Sequence, residues 1–214
     1  MTTDNWLADT RTSYDTVAVS YNDQARDAIG GDPHRRAALE VFADRVKAAG
    51  GGPVADLGCG PGHVTAHLRR LGVDAFGIDL FPGMIAVARY DHPDLHFEVG
   101  SMTDLHLSDA SVAGLLAWWP LIHIPDDEAP TVFAHCRRVL RLGGPLQLGF
   151  HVGDTTQLET QHYGGHPMTV YVHRRQPDQV ASWLCGAGFE IEVQWLCSPD
   201  DHVPQASLFA RRSS

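Results

Sequence analysis

Residues 54–63 read Val-Ala-Asp-Leu-Gly-Cys-Gly-Pro-Gly-His, an apolar run that ends in a carboxylate and a cluster of glycines. A buried strand followed by glycines at alternate positions (Gly58, Gly60, Gly62) predicts a tight turn into a helix. Glycine permits left-handed backbone at such a turn and lets the main chain approach a ligand closely. Further on, residues 74–80 read Asp-Ala-Phe-Gly-Ile-Asp-Leu, a second short apolar run ending at Asp79. Nucleoside-binding folds place an acid roughly 20 residues past the first glycines, where it accepts hydrogen bonds from ribose hydroxyls.

The glycine register discriminates between ligands. Dinucleotide folds use G-x-G-x-x-G, whose third glycine opens the helix that receives the pyrophosphate. Here the spacing is G-x-G-x-G, followed by His63 and Val64. That register argues against a nicotinamide-dependent oxidoreductase.

Outward from this stretch, helices are expected over 12–29, 33–49, 62–71, 82–90, 127–141 and 177–187. Strands are expected near 54–57, 74–78, 95–99, 112–117 and 145–151. Alternation of the two predicts a parallel sheet covered on both faces. The apolar runs 189–197 and 206–211, parted by Ser198-Pro199-Asp200-Asp201, read as an antiparallel pair at the sheet edge. Residues 152–176 depart from the alternation and carry a strand-like Met168–Val172. An insertion at the carboxyl end of a strand overhangs the ligand crevice, so it is read as a lid and substrate wall.

With these features together, the chain resembles the class I S-adenosylmethionine-dependent methyltransferases of the small-molecule type, over about residues 10–211. Trp118–His123 and Phe150–Gly153 are similar to runs in a group of actinobacterial methyltransferases. The resemblance implies one α/β domain over 1–214: a Rossmann-like sheet of seven strands, the last antiparallel, with helices on both faces and a helical cap over 1–50. It also implies S-adenosylmethionine as cofactor and S-adenosylhomocysteine as product. The Gly58–Cys59–Gly60 loop would pass the methionine part, with Asp56 near its ammonium. Asp79 would hold the ribose, Leu80 and Met84 would flank the adenine, and Ser101 and Met102 would touch its ring. Many relatives carry Asp where Ser101 stands, so a carboxylate contact to the adenine amine is not expected. Tyr14 and Tyr21 share a helix face, and the resemblance implies a tyrosine near the cofactor or acceptor.

The remaining candidates follow from position and chemistry. Trp118 and Trp119 end the fourth strand, one expected at the cofactor and the other at the acceptor. An aromatic face gains about 0.5–2 kcal/mol beside a cation. His123 and His151 sit at strand ends bordering the crevice, and imidazole suits proton removal near neutral pH. His162 and His166 are expected in the substrate wall. The histidines His151, His162, His166 and His173 lack the helical spacing of a metal motif, so no metal is expected.

Composition narrows the partners. The 214 residues are 43% hydrophobic and 20% charged, which suits one folded domain. Net charge is −10, with one lysine (Lys47) and arginines in scattered pairs such as Arg35-Arg36 and Arg174-Arg175. Nucleic-acid partners are disfavoured, because they call for clustered cations. The four cysteines form no C-x-x-C pair and are read as free thiols. No apolar run spans a bilayer and no signal sequence is visible, so a cytoplasmic monomer or homodimer is expected. The leading expectation is methyl transfer to a small organic acceptor, oxygen slightly ahead of nitrogen. The alternative is a fold relative that binds the cofactor but catalyses rearrangement or cyclisation.

Overall fold

The computed structural model describes residues 6–26, 29–198 and 203–214. Two helices come first, α1 (Trp6–Ala25) and α2 (Pro33–Ala48), followed by β1 (Pro53–Leu57), α3 (His63–Arg70), β2 (Asp74–Asp79), α4 (Pro82–Asp91) and β3 (Phe97–Val99). Then come β4 (Gly114–Trp118), a 3-10 turn (Pro120–His123), α5 (Ala129–Val139), β5 (Pro145–His151), β6 (Thr156–His162), β7 (His166–His173), α6 (Pro177–Gly186), β8 (Phe189–Cys197) and β9 (Gln205–Arg212).

Seven strands form one sheet in the order β3-β2-β1-β4-β5-β9-β8. Strands β1 to β5 pair in parallel, and β9 runs antiparallel to both β5 and β8. The order reverses between β1 and β4, so their carboxyl ends open a crevice. The sheet, its reversed last strand and the helices on both faces are as expected. The Pro199–Asp201 part of the edge turn lies outside the described residues, as do residues 27 and 28 of the expected first helix.

Side-chain alternation explains the two layers. Ala55, Leu57, Leu115, Ala117, Leu146 and Leu148 face the cluster that holds Phe133 of α5 and Leu184 of α6. Val54, Ala75, Leu116 and Trp118 face the opposite cluster with Phe42 of α2 and Leu68 of α3. Helix α2 begins where predicted because Asp32 caps it, accepting from the amides of His34 and Arg35, with Pro33 in the first turn.

Residues 152–176 form a two-stranded hairpin, β6 with β7, outside the main sheet. Only its second strand had a signal in the sequence. β6 reads Thr-Gln-Leu-Glu-Thr-Gln-His and buries no side chain, so no apolar alternation marks it. β7 packs Met168 and Val170 against Tyr14, Val17 and Ala18 of α1. Side-chain-to-backbone bonds fix α1 in place: Ser13 accepts from the Thr169 amide at 2.8 Å, and Asp15 from the Gly83 amide at 2.7 Å. Asp15 thereby caps α4, whose own N-cap, Phe81, has no capping side chain.

Arg175, a member of one of the scattered arginine pairs, is buried. Its side chain is 2% exposed. It donates to the Leu121 carbonyl at 2.7 Å, to the Ile124 carbonyl, and to Asp126 at 2.7 and 2.9 Å. The guanidinium thus ties the end of the hairpin to the 3-10 turn and to the start of α5. Arg175→Met removes the donor of the buried Ile124 carbonyl and leaves that of Leu121 with the Ile124 amide alone, and urea unfolding should show a loss of about 1–3 kcal/mol. A loss below about 0.5 kcal/mol, the size of an ordinary surface change, would remove Arg175 as a staple.

Candidate active site

The glycine turn after β1 is as left-handed as its sequence requires, with φ of 69° at Gly58, 54° at Gly60 and 84° at Gly62. A Cβ at Gly58 would overlap the Pro120 ring, so this glycine also allows the loop to meet the 3-10 turn. The Gly58 amide donates to the Ile78 carbonyl at 2.7 Å, which lays the loop against the end of β2. Asp79 completes the junction. Its two oxygens accept from the Gly60 amide at 2.7 Å and the Phe81 amide at 2.9 Å. Burial raises its pKa to about 6, against the lowering effect of those amides.

A cavity of about 250 Å³ opens over this junction. Tyr14, Tyr21, Gly58, Gly60, Asp79, Leu80, Met84, Ser101, Met102, Trp118, Trp119, His123 and His151, all candidates from the sequence, line it. A smaller chamber of about 120 Å³ shares Tyr21, Gly58, Gly60, Trp118 and Trp119 with it and adds Asp56 and Cys59. Asp56 is fully buried; Thr65 donates to one carboxylate oxygen at 2.6 Å and the other oxygen has no partner among the described residues. Burial raises its pKa to about 7. His162 and His166 line neither chamber. His162 is exposed against Tyr163, and His166 bonds Ser20 at 3.2 Å.

His123 is held at both ring nitrogens. Its Nδ1 lies 3.0 Å from the Tyr171 carbonyl, which can only accept, so Nδ1 carries the proton and donates. Nε2 therefore accepts, and Tyr14 donates its hydroxyl to it at 2.7 Å. Burial lowers the His123 pKa to about 4 and raises that of Tyr14 well above the ordinary phenol range. Tyr14 stacks on Phe81 at 4.7 Å, and Tyr163 packs on Tyr21 at 4.9 Å.

At the other end, Trp119 adopts φ of 76°, a left-handed conformation that costs a bulky residue about 1–3 kcal/mol. His151 stacks on it at 5.0 Å, and the Arg35 guanidinium sits 5.4 Å from its ring centre. Burial, then Arg174 and Arg35, lower the His151 pKa to about 4, and its Nδ1 has no partner among the described residues. Arg35, Phe81 and Tyr163 line the cavity without having been singled out in the sequence. The Gly164-Gly165 pair that follows Tyr163 marked a tight turn whose tip is this tyrosine.

Residues 54–144 match the family described as "Methyltransferase domain". A ubiquinone biosynthesis O-methyltransferase of Xanthomonas axonopodis pv. citri (strain 306) is 29% identical over 170 residues, covering 72% of this chain and 69% of that protein. The DhpI–SAH complex superposes with a TM-score of 0.77 at 19% identity, over 99% of both chains. The [4+2]-cyclase SpnF gives 0.71 at 17% identity, over 95% of both. Residues 54–144 thus match a methyltransferase domain, and the chain has the fold of solved S-adenosylmethionine-dependent methyltransferases, whose cofactor is S-adenosylmethionine.

The cavity fits that group on two counts, the unpartnered Asp56 oxygen beside the small chamber and the Asp79 carboxylate at the glycine turn. Asp79→Asn should weaken S-adenosylhomocysteine by about tenfold or more in calorimetry, because hydrogen bonds to a charged group are worth about 1.5–3 kcal/mol. Unchanged affinity would reject the ribose assignment. Asp56 and Asp79 have raised pKa values, about 7 and 6, so both are partly protonated in mildly acidic solution. A cationic amine favours the ionised forms, so binding should release protons and strengthen as pH rises through that range. Identical heats at pH 6.5 in buffers of different ionisation enthalpy would contradict it.

Proposed function

We propose that the protein transfers the cofactor's methyl group to a small organic acceptor, with oxygen favoured over nitrogen. The observation that carries this reading is that the cavity runs from the Asp79–Gly60 junction into an aromatic chamber walled by Tyr14, Trp119 and Tyr163. The O-methyltransferase named among its relatives supports oxygen. When bound, S-adenosylmethionine supplies an electrophilic methyl on a sulfonium.

The chain's own task is to hold the acceptor in line, and such orientation lowers a barrier by about 7–11 kcal/mol. Asp79 orients the ribose hydroxyls and Asp56 the ammonium, while Leu80, Met84, Ser101 and Met102 enclose the base. Residues 1–50 and 152–176 serve as cap and lid through α1 and Tyr163. His123, engaged at both nitrogens, is a positioning residue that holds the Tyr14 hydroxyl toward the chamber. Of the two imidazoles that line the larger chamber, His151 has a ring nitrogen, Nδ1, without a partner among the described residues.

A second reading, rearrangement or cyclisation without methyl transfer, is favoured by the similarity to the cyclase. Incubation with methyl-labelled cofactor and a panel of hydroxylated and amino aromatics separates the two. Labelled product with stoichiometric S-adenosylhomocysteine is expected; altered but unlabelled product would overturn the proposal. With a turned-over acceptor, His123→Ala should lower kcat by about tenfold or more, leaving the affinity for S-adenosylhomocysteine near wild type. A wild-type kcat over the whole pH range would remove His123 from the machinery.

A further inference from the structure

The proton-accepting groups of the cavity share one property: they are either engaged or placed where a positive charge is unwelcome. The lone pair of His123 is taken by the Tyr14 hydroxyl, and its N–H by the Tyr171 carbonyl. Neither partner is a carboxylate, and burial outweighs the support that the Tyr171 carbonyl gives an imidazolium. Asp79 is bound to two amides of the cofactor cradle, and Asp56, bonded to Thr65 through one oxygen, has its other oxygen given over to the cofactor's ammonium in the reading above. His151 faces Arg35 and Arg174, both of which oppose its protonation. A bound sulfonium adds a further positive charge. An acceptor that must shed a proton during methylation therefore meets a wall with no good sink for it.

The same wall is well disposed toward an anion. Arg35 lines both chambers and lies over Trp119 beside Tyr21. It is ion-paired there with Asp32 at 3.2 Å through Nε and donates to Gln205 at 3.4 Å, which orient the guanidinium and balance part of its charge. No other lysine or arginine lines the larger chamber among the described residues. The chain as a whole carries a net charge of −10, so a cation at this point is a local feature with a local purpose.

We propose that the acceptor enters as an oxyanion, a carboxylate or a phenol acidic enough to be ionised at neutral pH, steered by Arg35 to the Trp119–His151 end of the cavity. This deepens the methyltransferase reading and rests on it. The acceptor oxygen's lone pair forms the new O–CH3 bond, the methyl–sulfur pair returns to sulfur, and no proton has to be placed on the protein. Anion and sulfonium become two neutral products, a charge loss that a water-poor aromatic chamber accelerates. His151 contributes a neutral hydrogen bond to the acceptor in place of base catalysis.

The test uses the full chain loaded with S-adenosylhomocysteine and titrated with benzoate, benzyl alcohol and benzylamine by calorimetry. Benzoate should bind about tenfold more tightly than the alcohol, as a charge-assisted contact to a guanidinium implies. Arg35→Gln should abolish that preference and Arg35→Lys should retain part of it, both with the nucleotide's own affinity within about twofold of wild type. Equal binding of benzoate and benzyl alcohol, or a preference for benzylamine, overturns the proposal. So does an Arg35→Gln variant that loses the nucleotide as much as it loses benzoate, since Arg35 would then belong to the cofactor. Wild-type protein that does not bind S-adenosylhomocysteine would instead bring down the methyltransferase reading, and this one with it.

Discussion

A carboxylate that is 2% exposed cannot be satisfied by bulk water, and Asp79 depends on the protein for its hydrogen bonds. They come from the amides of Gly60 and Phe81, one in each of the first two strand-to-helix turns. The requirement works in both directions. The amides need the carboxylate as much as it needs them, so neither turn can move without unsatisfying the other. The glycine loop, the start of α4 and the parallel pairing of β1 with β2 form one rigid unit around this group. The walls of the cavity are arranged relative to it.

Strain is concentrated on the opposite wall. Trp119 holds its left-handed backbone between the end of β4 and Pro120, with its amide donating to the Gly149 carbonyl at 2.9 Å. Pro120 in turn abuts Gly58, and Arg175 draws in the carbonyls of Leu121 and Ile124 behind it. A proline, a buried arginine and a sheet bond together over-determine the position of one indole. Such an arrangement is expected where a side chain must be aimed at a ligand.

Much of this was legible in the sequence where a residue's type and spacing carry a backbone requirement. Gly58, Gly60 and Gly62 announce their turn because no other residue takes those φ values cheaply, and Asp79 follows from its distance to them. The sheet was readable because its inner strands β1, β4 and β5 are largely apolar and buried. Elements defined by partners distant in the chain were not. β6 is polar throughout, and its pairing with β7 is visible only once α1 supplies the surface beneath. Arg35 and Arg175 sit in arginine pairs that look alike on paper, yet one lines the cavity and the other is sealed behind it. The saturation of His123 by Tyr14, 109 positions away in sequence, could not be inferred from either residue alone. His162 and His166 drew attention as imidazoles, whereas the tyrosine between them reaches the chamber.

The way α1 is held has a consequence for how such a chain can diverge. Ser13 and Asp15 bind backbone amides, of Thr169 and Gly83, and an amide is present whatever side chain the residue carries. Position 83 is nonetheless restricted, because a Cβ there would come within 3.0 Å of the Asp15 carboxylate. Position 169 has no such restriction from this bond. The hairpin can therefore exchange its outward residues freely and keep its seat on the helix, so that a lineage could retool its clientele without rebuilding the platform that receives it.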